Sequence, residues 1–264
     1  MTPRFPSPGS LVDRIKVNAT SKVQVEGRTL WMKRRRASAL PVLGCANLFF
    51  RAANSPLRTL LSKAAWQRWE VHSFSLLHGP EFRAFCWGNS AVAADEIPGI
   101  NLTGPLDDGT LRPAMTAAAG RELRRSHACQ CPIFGGLWSH GDPHLGNFLY
   151  EAAGDRARLI DFEVMHLPTI SADARQADDV CAFLEDLAGR ARADLWLPCA
   201  RAFLEAYGAP DILQGLARRL VTGPTGKFAR LWRGVRTGFL PAAELRARFE
   251  LLQGACAPCA LPGL

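Results

Sequence analysis

Two stretches carry the residue types best suited to chemistry: His140-Gly-Asp142-Pro-His144-Leu-Gly-Asn147 and Leu159-Ile-Asp161-Phe-Glu163. Asp142 supplies a carboxylate, and Asn147 supplies an amide oxygen five residues on, in the same tight loop. Asp161 supplies a second carboxylate at the end of an expected short strand. The polar turn from Glu151 to Arg156 lets a hairpin return it beside the loop. One carboxylate with one amide oxygen is a hard-oxygen pair suited to Mg²⁺, which keeps several waters and is completed by substrate phosphates. The other carboxylate stays free to orient or deprotonate a hydroxyl. Metal clamps, a positioned nucleophile and little covalent chemistry are what phosphoryl transfer requires. The plainer alternative is a hairpin whose Asp and Asn are only turn residues. It leaves Asp161 without a reason.

The pattern HxDxxxxN followed by a strand ending in IDF resembles the catalytic and metal-binding loops of the protein-kinase-like fold. HGDPHLGN is similar to the versions in aminoglycoside and choline kinases, lipopolysaccharide (Kdo/WaaP-type) kinases and UbiB-type atypical kinases. The resemblance covers residues 22–210. It implies that Asp142 is the catalytic base, that Asn147 and Asp161 are Mg²⁺ ligands, and that His140 packs under the metal loop. It also implies an ATP-binding lysine with a glutamate partner. Lys33, in LWMK, matches the lysine strand, and Glu70, in QRWE, matches the helix glutamate. Lys22 is the second choice for the lysine. Asp95-Glu96-Ile97-Pro98-Gly99 resembles the hinge, where the backbone of Glu96 and Ile97 would meet adenine; a plain linker is the alternative.

This chain also departs from the family pattern. No GxGxxG occurs between residues 10 and 30, which leaves Asn18-Ala-Thr-Ser21 as the expected phosphate loop. Glu163 replaces the glycine of DFG and either joins the metal site or stays exposed. A helix is expected from Ser171, ten residues after Asp161, too soon for a long activation segment, so peptide docking is disfavoured. Arg175-Gln-Ala-Asp178-Asp179 resembles an RxxD stretch of small-molecule and lipopolysaccharide kinases; the alternative is a surface ion pair.

The elements must place these residues. Residues 22–36 read as a hairpin turning at Glu26-Gly27-Arg28, with Thr29 to Met32 as its second strand. Residues 37–56 read as irregular, because of Pro41, Gly44 and Asn54-Ser55-Pro56. Residues 57–78 read as one helix started by Ser55 and Pro56, and 82–96 as two strands. Helices are expected over 111–128, 172–189, 196–207, 211–220 and 241–253. The expected fold class is therefore α+β. The resemblance implies a bilobal protein-kinase-like fold, with a small antiparallel-sheet N-lobe expected over 1–99 including the hinge, and a mostly helical C-lobe over 100–264.

Composition bounds the partners. The 264 residues carry 48% hydrophobic and 21% charged side chains, which excludes disorder and simple fibrous repeats. The formal charge is +8. Residues 1–70 hold 13 Lys/Arg and 3 Asp/Glu, a net of +10, while the remainder holds 19 and 21, a net of −2. No apolar run approaches the roughly 18 residues of a spanning helix. The opening MTPRFPSPGS has no apolar signal core, so a cytoplasmic location is expected. The basic run Lys33-Arg34-Arg35-Arg36 is either a solvated rim or a contact to an anionic membrane face. Cys256-Ala-Pro-Cys259 has metal-ligand spacing but no second CxxC, and reads as a tail. The leading expectation is an ATP- and Mg²⁺-dependent kinase acting on a hydroxyl of a small molecule or lipid-linked sugar. An atypical protein serine/threonine kinase and a pseudokinase scaffold are the alternatives. Nucleic-acid binding lacks any interleaved basic and aromatic module.

Overall fold

The computed structural model describes residues 17–213, 216 and 224–256. It opens with the hairpin of β1 (Asn18–Val25) and β2 (Arg28–Arg35). Glu26 and Gly27 both take positive φ, 50° and 76°, which is the backbone of the tight turn whose twist matches two antiparallel strands. The second strand runs on through Arg35, so Lys33 lies inside it, opposite Thr20. Asn18-Ala-Thr-Ser21 belongs to β1 and is not a loop, which corrects the expected phosphate loop. These residues lack a glycine but pair residue for residue with Met32–Arg35, and the ladder keeps them extended.

Residues 37–56 are not irregular: α1 (Ala39–Ala52) occupies most of them. Pro41 falls in its first turn, where the missing N–H has no partner to lose, and Leu43 and Phe50 turn inward. The helix expected from residue 57 starts later. Leu57–Thr59 is β3, and α2 (Lys63–His78) begins after Ser62, whose Oγ accepts from Ala65 N at 3.4 Å. Leu57, Leu60 and Leu61 fit a helical period as well as a short strand. Partners far along the chain decide between the two. On α2, Trp66, Glu70, Ser73 and Leu77 share the buried face at helical spacing.

β4 (Ala84–Trp87) and β5 (Ala91–Asp95) complete a four-stranded antiparallel sheet of order β1-β2-β5-β4. Gln67 ties α2 to it by donating to Ala91 O at 2.7 Å and Gly88 O at 3.0 Å. Beyond the connector come β6 (Ile100–Asn101), α3 (Thr103–Asp107), α4 (Pro113–His127), β7 (Gln130–Cys131) and β8 (Gly136–Leu137). β9 (Phe148–Glu151), β10 (Arg156–Leu159) and β11 (Val164–His166) follow, then α5 (Ala172–Arg190), α6 (Trp196–Tyr207), α7 (Lys227–Arg236) and α8 (Ala242–Cys256). β11 pairs with β3, which fastens the segment before α2 to the mostly helical half. α7 was not expected from the sequence. The helix expected over 211–220 and the Cys256-to-Cys259 spacing run outside the described residues.

The main core lies among α4, α5, α6 and β9–β10. Phe183 stacks on Phe203 at 3.9 Å and meets Phe148 edge-on at 5.5 Å. All three are buried, each contributing about 2–3 kcal/mol relative to exposure. The result is an α+β architecture: a small antiparallel sheet with α2 behind it, joined to a mostly helical half.

Candidate active site

Lys33 is the meeting point. Its Nζ lies 3.0 Å from Glu70 Oε1, 2.6 Å from Asp161 Oδ1 and 2.9 Å from Glu163 Oε1. The alternation of β2 aims it at α2, whose buried face carries Glu70. Burial works against the lysine's charge, but Asp161, Glu163 and Glu70 together outweigh it and hold Lys33 protonated well above its usual range. Burial pushes Glu70 up to about 7; Lys33 pulls the other way, and the two nearby carboxylates add to the rise. Asp161 is held below the usual carboxylate range: burial opposes this, and the Lys33 ammonium with its hydrogen bond overcomes it. Lys22 is elsewhere, paired to Glu96 at 2.6 Å on the outer strand.

The basic run is therefore split by the strand. Arg35 turns inward, lies over the Trp66 ring at 4.4 Å and donates to Leu60 O, while Arg34 and Arg36 remain exposed. It is not one solvated rim. Glu163 joins the cluster, where it also accepts from Asn18 Nδ2. So β1 reaches the site through its first residue, which is also the first residue of the stretch expected as the phosphate loop.

The loop from His140 to Asn147 is built around backbone hydrogen bonds. His140 N and Gly141 N each donate to Asp179 at 2.7 Å. Leu145 N donates to Asp186 Oδ2 at 2.9 Å. Gly141 has φ 97°, and a Cβ there would stand 3.2 Å from Val164 O, so only glycine fits this turn over β11. Asn147 Nδ2 donates to Asp142 O at 2.8 Å, which locks the two functional ends of the loop together. Ile160 N donates to Asn147 O at 2.9 Å and carries the chain to Asp161.

His140 is buried between Trp138 and Phe162. Burial lowers its pKa and keeps the imidazole neutral. Its Nδ1 accepts from Asp142 N at 3.2 Å, so Nε2 carries the proton and donates to Ile160 O at 3.1 Å. One neutral ring thus spans both chemical loops. The Asp142 carboxylate is about one-third exposed, with His144 Nε2 4.0 Å away.

Arg175, Asp178 and Asp179 are all buried, so the surface ion-pair reading is corrected. Arg175 donates to Ser139 Oγ and Leu137 O, and Asp178 meets His166 and Arg236. Asp179 also accepts from His127 Nε2 at 3.0 Å. The anchoring roles of Asp179 and Asp186 were missed; the available signal was their placement at helical spacing on one long helix after the loop.

Glu96 and Ile97 lie apart from the cluster. Ile97 is buried where the chain leaves β5, and the Glu96 carboxylate is occupied by Lys22. As for a metal, the available donors are the Asp161 and Glu163 carboxylates and the Asn147 amide, all hard oxygens. Three carboxylates face one ammonium, an excess of negative charge that a divalent cation would relieve. Among the described residues, no three His, Cys, Asp or Glu form a closed cage. A cation held here would need further oxygens from water or phosphate, which is the habit of Mg²⁺.

No family model matches the chain, and no curated protein matches it. Solved structures do. A choline/ethanolamine kinase family protein from Mesorhizobium loti is 14% identical, with 90% of this chain and 92% of that chain covered and a TM-score of 0.43. A Plasmodium vivax ethanolamine kinase is 10% identical over 95% and 85% of the two chains, TM-score 0.41. A Mycobacterium tuberculosis protein solved with erythromycin is 17% identical over 90% and 71%, TM-score 0.40. Within this chain, Lys33 on β2, Glu70 on α2 and Asp161 after β10 meet at one point.

Proposed function

We propose that this protein is an ATP- and Mg²⁺-dependent phosphotransferase that moves the γ-phosphate to a hydroxyl of a small molecule or lipid-linked sugar. The observation that carries the reading is Lys33 Nζ held between Glu70 and Asp161, beside a loop that presents Asp142 and Asn147. Lys33, fixed by Glu70, binds the nucleotide phosphates. Asp161 and Asn147 hold Mg²⁺, which when bound neutralises phosphate charge. Glu163, already in the cluster, is a third oxygen donor. The backbone of Glu96 and Ile97 serves the adenine, and residues 1–99 and 100–264 act as the two lobes around it. Asp142 orients the acceptor hydroxyl and takes its proton as the acceptor oxygen bonds to the γ-phosphorus. The bond to the β-phosphate oxygen breaks, and ADP leaves. His140 holds the backbone of Asp142 and Ile160 in one frame. Only nine residues separate Asp161 from the Ser171 cap of α5. That supports a compact acceptor over a docked peptide.

Nucleotide binding tests the metal half of this reading. MgATP is expected to raise the thermal midpoint of wild type, because a ligand that binds only the folded state stabilises it. Asp161→Asn should abolish the Mg²⁺-dependent part of that gain. An unchanged gain would contradict the metal assignment. Labelled ATP offered to a sugar panel, a lipid extract and a protein lysate separates acceptor classes. Label confined to the lysate would overturn the small-molecule or lipid-linked reading.

A further inference from the structure

The outward face of α1 is apolar. Leu40 is 57% and Leu48 65% exposed, while Leu43 and Phe50 turn inward. Asn47 on the same helix is spent on Thr59, donating to its carbonyl and accepting from its N–H. α7 lies alongside, joined through Phe49, which meets Phe228 at 6.1 Å and Trp232 at 6.0 Å. There Phe228 is 51% and Leu231 46% exposed. Two helices joined by one aromatic seam thus expose four large apolar side chains. Single exposed apolar residues are ordinary, but a joined group marks an interaction surface.

Charge identifies the partner. No Asp or Glu occurs in residues 27–69, which hold nine Lys and Arg. None occurs in 212–243, which hold six. These two stretches contain α1 and α7. Arg233 and Arg236 turn inward to Glu185 and Asp178. Arg36 just before α1, Arg51 on it, and Lys227 and Arg230 on α7 stay exposed. Exposed leucine and phenylalanine on two helices whose own exposed charged side chains are cations are what an anionic bilayer surface binds, by burial of the apolar side chains and attraction of the cations. We propose that the α1–α7 face is a peripheral membrane-docking surface for anionic lipid.

The same helix borders a cavity of about 220 Å³ lined by Pro56, Asp178, Trp232 and Arg236. Arg236 is held there by Asp178 at 3.2 Å and Glu185 at 3.5 Å. The docking inference goes beyond the phosphotransferase reading, since it stands or falls without ATP turnover.

Flotation with vesicles tests it, using phosphatidylcholine alone and phosphatidylcholine with about one third phosphatidylserine. Wild type is expected to float with the anionic vesicles and not with the neutral ones. The double variant Leu48→Glu, Phe228→Glu should lose at least about ten-fold in bound fraction. Lys227→Gln with Arg230→Gln should bind more weakly and with less salt dependence. All of these positions lie outside the Lys33 cluster and the His140–Asn147 loop, so MgATP turnover in vesicle-free buffer should match wild type and thermal unfolding should stay cooperative. Wild type failing to float, or the Leu48→Glu, Phe228→Glu variant floating equally well, would overturn the inference. So would a wild-type dimer in solution that those two substitutions dissolve, because the face would then belong to a second copy. Vesicle binding with no ATP turnover in any variant would overturn the phosphotransferase reading and leave this one standing.

Discussion

Asp179 decides whether Asp142 is presented at all. It is fully buried, and its two oxygens take the backbone N–H groups of His140 and Gly141 as well as the His127 ring. A carboxylate accepting several donors in a dry site is a stronger holder than a neutral amide. Asp179→Asn keeps the shape but must turn an NH₂ toward one of those donors. The expected outcome is a loss of about 2–3 kcal/mol in denaturant unfolding. Turnover should fall by about a hundred-fold, because a small misplacement of the loop is enough for that, while the apparent affinity for MgATP stays near wild type. Nucleotide affinity falling in step with turnover would place Asp179 in nucleotide binding and not in holding the loop. Lys33 presents the opposite case, one cation serving three carboxylates. Lys33→Met leaves Glu70 buried and unpaired, which should cost about 3–5 kcal/mol by thermal or denaturant unfolding. A variant as stable as wild type would show that the cluster does not rest on Lys33.

The elements show where sequence reading succeeds and where it stops. The β1–β2 hairpin, α4, α5 and the HxDxxxxN loop were legible because their signals are local: turn residues, helical periodicity and motif spacing. The site was legible to the same degree, since Lys33, Glu70 and Asp161 do meet and Asp142 and Asn147 share a hydrogen bond. The failures have non-local causes. Pro41 and Gly44 resemble breakers, yet α1 forms because Leu43 and Phe50 find a buried surface. Leu57–Thr59 becomes a strand because β11, more than a hundred residues on, supplies its ladder. Arg175 and Asp179 resemble a surface pair because nothing local reveals that α5 is buried on nearly every side. Close helix crossings are also invisible in the sequence. Gly120 on α4 sits where a Cβ would strike the Phe203 carbonyl of α6. Gly120→Ala should therefore destabilise by about 1–3 kcal/mol in spite of alanine's better helix propensity. Greater stability on thermal unfolding would show that the two helices can part freely.

At the scale of the whole molecule, charge and protonation are unevenly distributed. Burial lowers the pKa of His78, to about 4, and also lowers those of His127 and His140. Their folded values lie below the unfolded one, so the unfolded chain takes up more protons as pH falls from about 6.5 toward 4. Stability should drop across that window, His78 alone contributing on the order of 3 kcal/mol. Denaturant melts of wild type and His78→Gln against pH check this: the variant should show a shallower slope, and an identical slope would contradict it. The +10 of residues 1–70 has likewise been divided by the fold. Lys33 and Arg35 serve the interior, while Arg34, Arg36 and Arg51 remain for an outside partner. Asp142 as the base for phosphoryl transfer is tested by γ-phosphate release or transfer from labelled MgATP, compared between wild type and Asp142→Ala. Wild type should turn over, and the variant should lose about a hundred- to ten-thousand-fold, with MgATP still raising its thermal midpoint. Equal turnover by the two proteins, or MgATP binding by wild type with no turnover on any acceptor, would rule that role out.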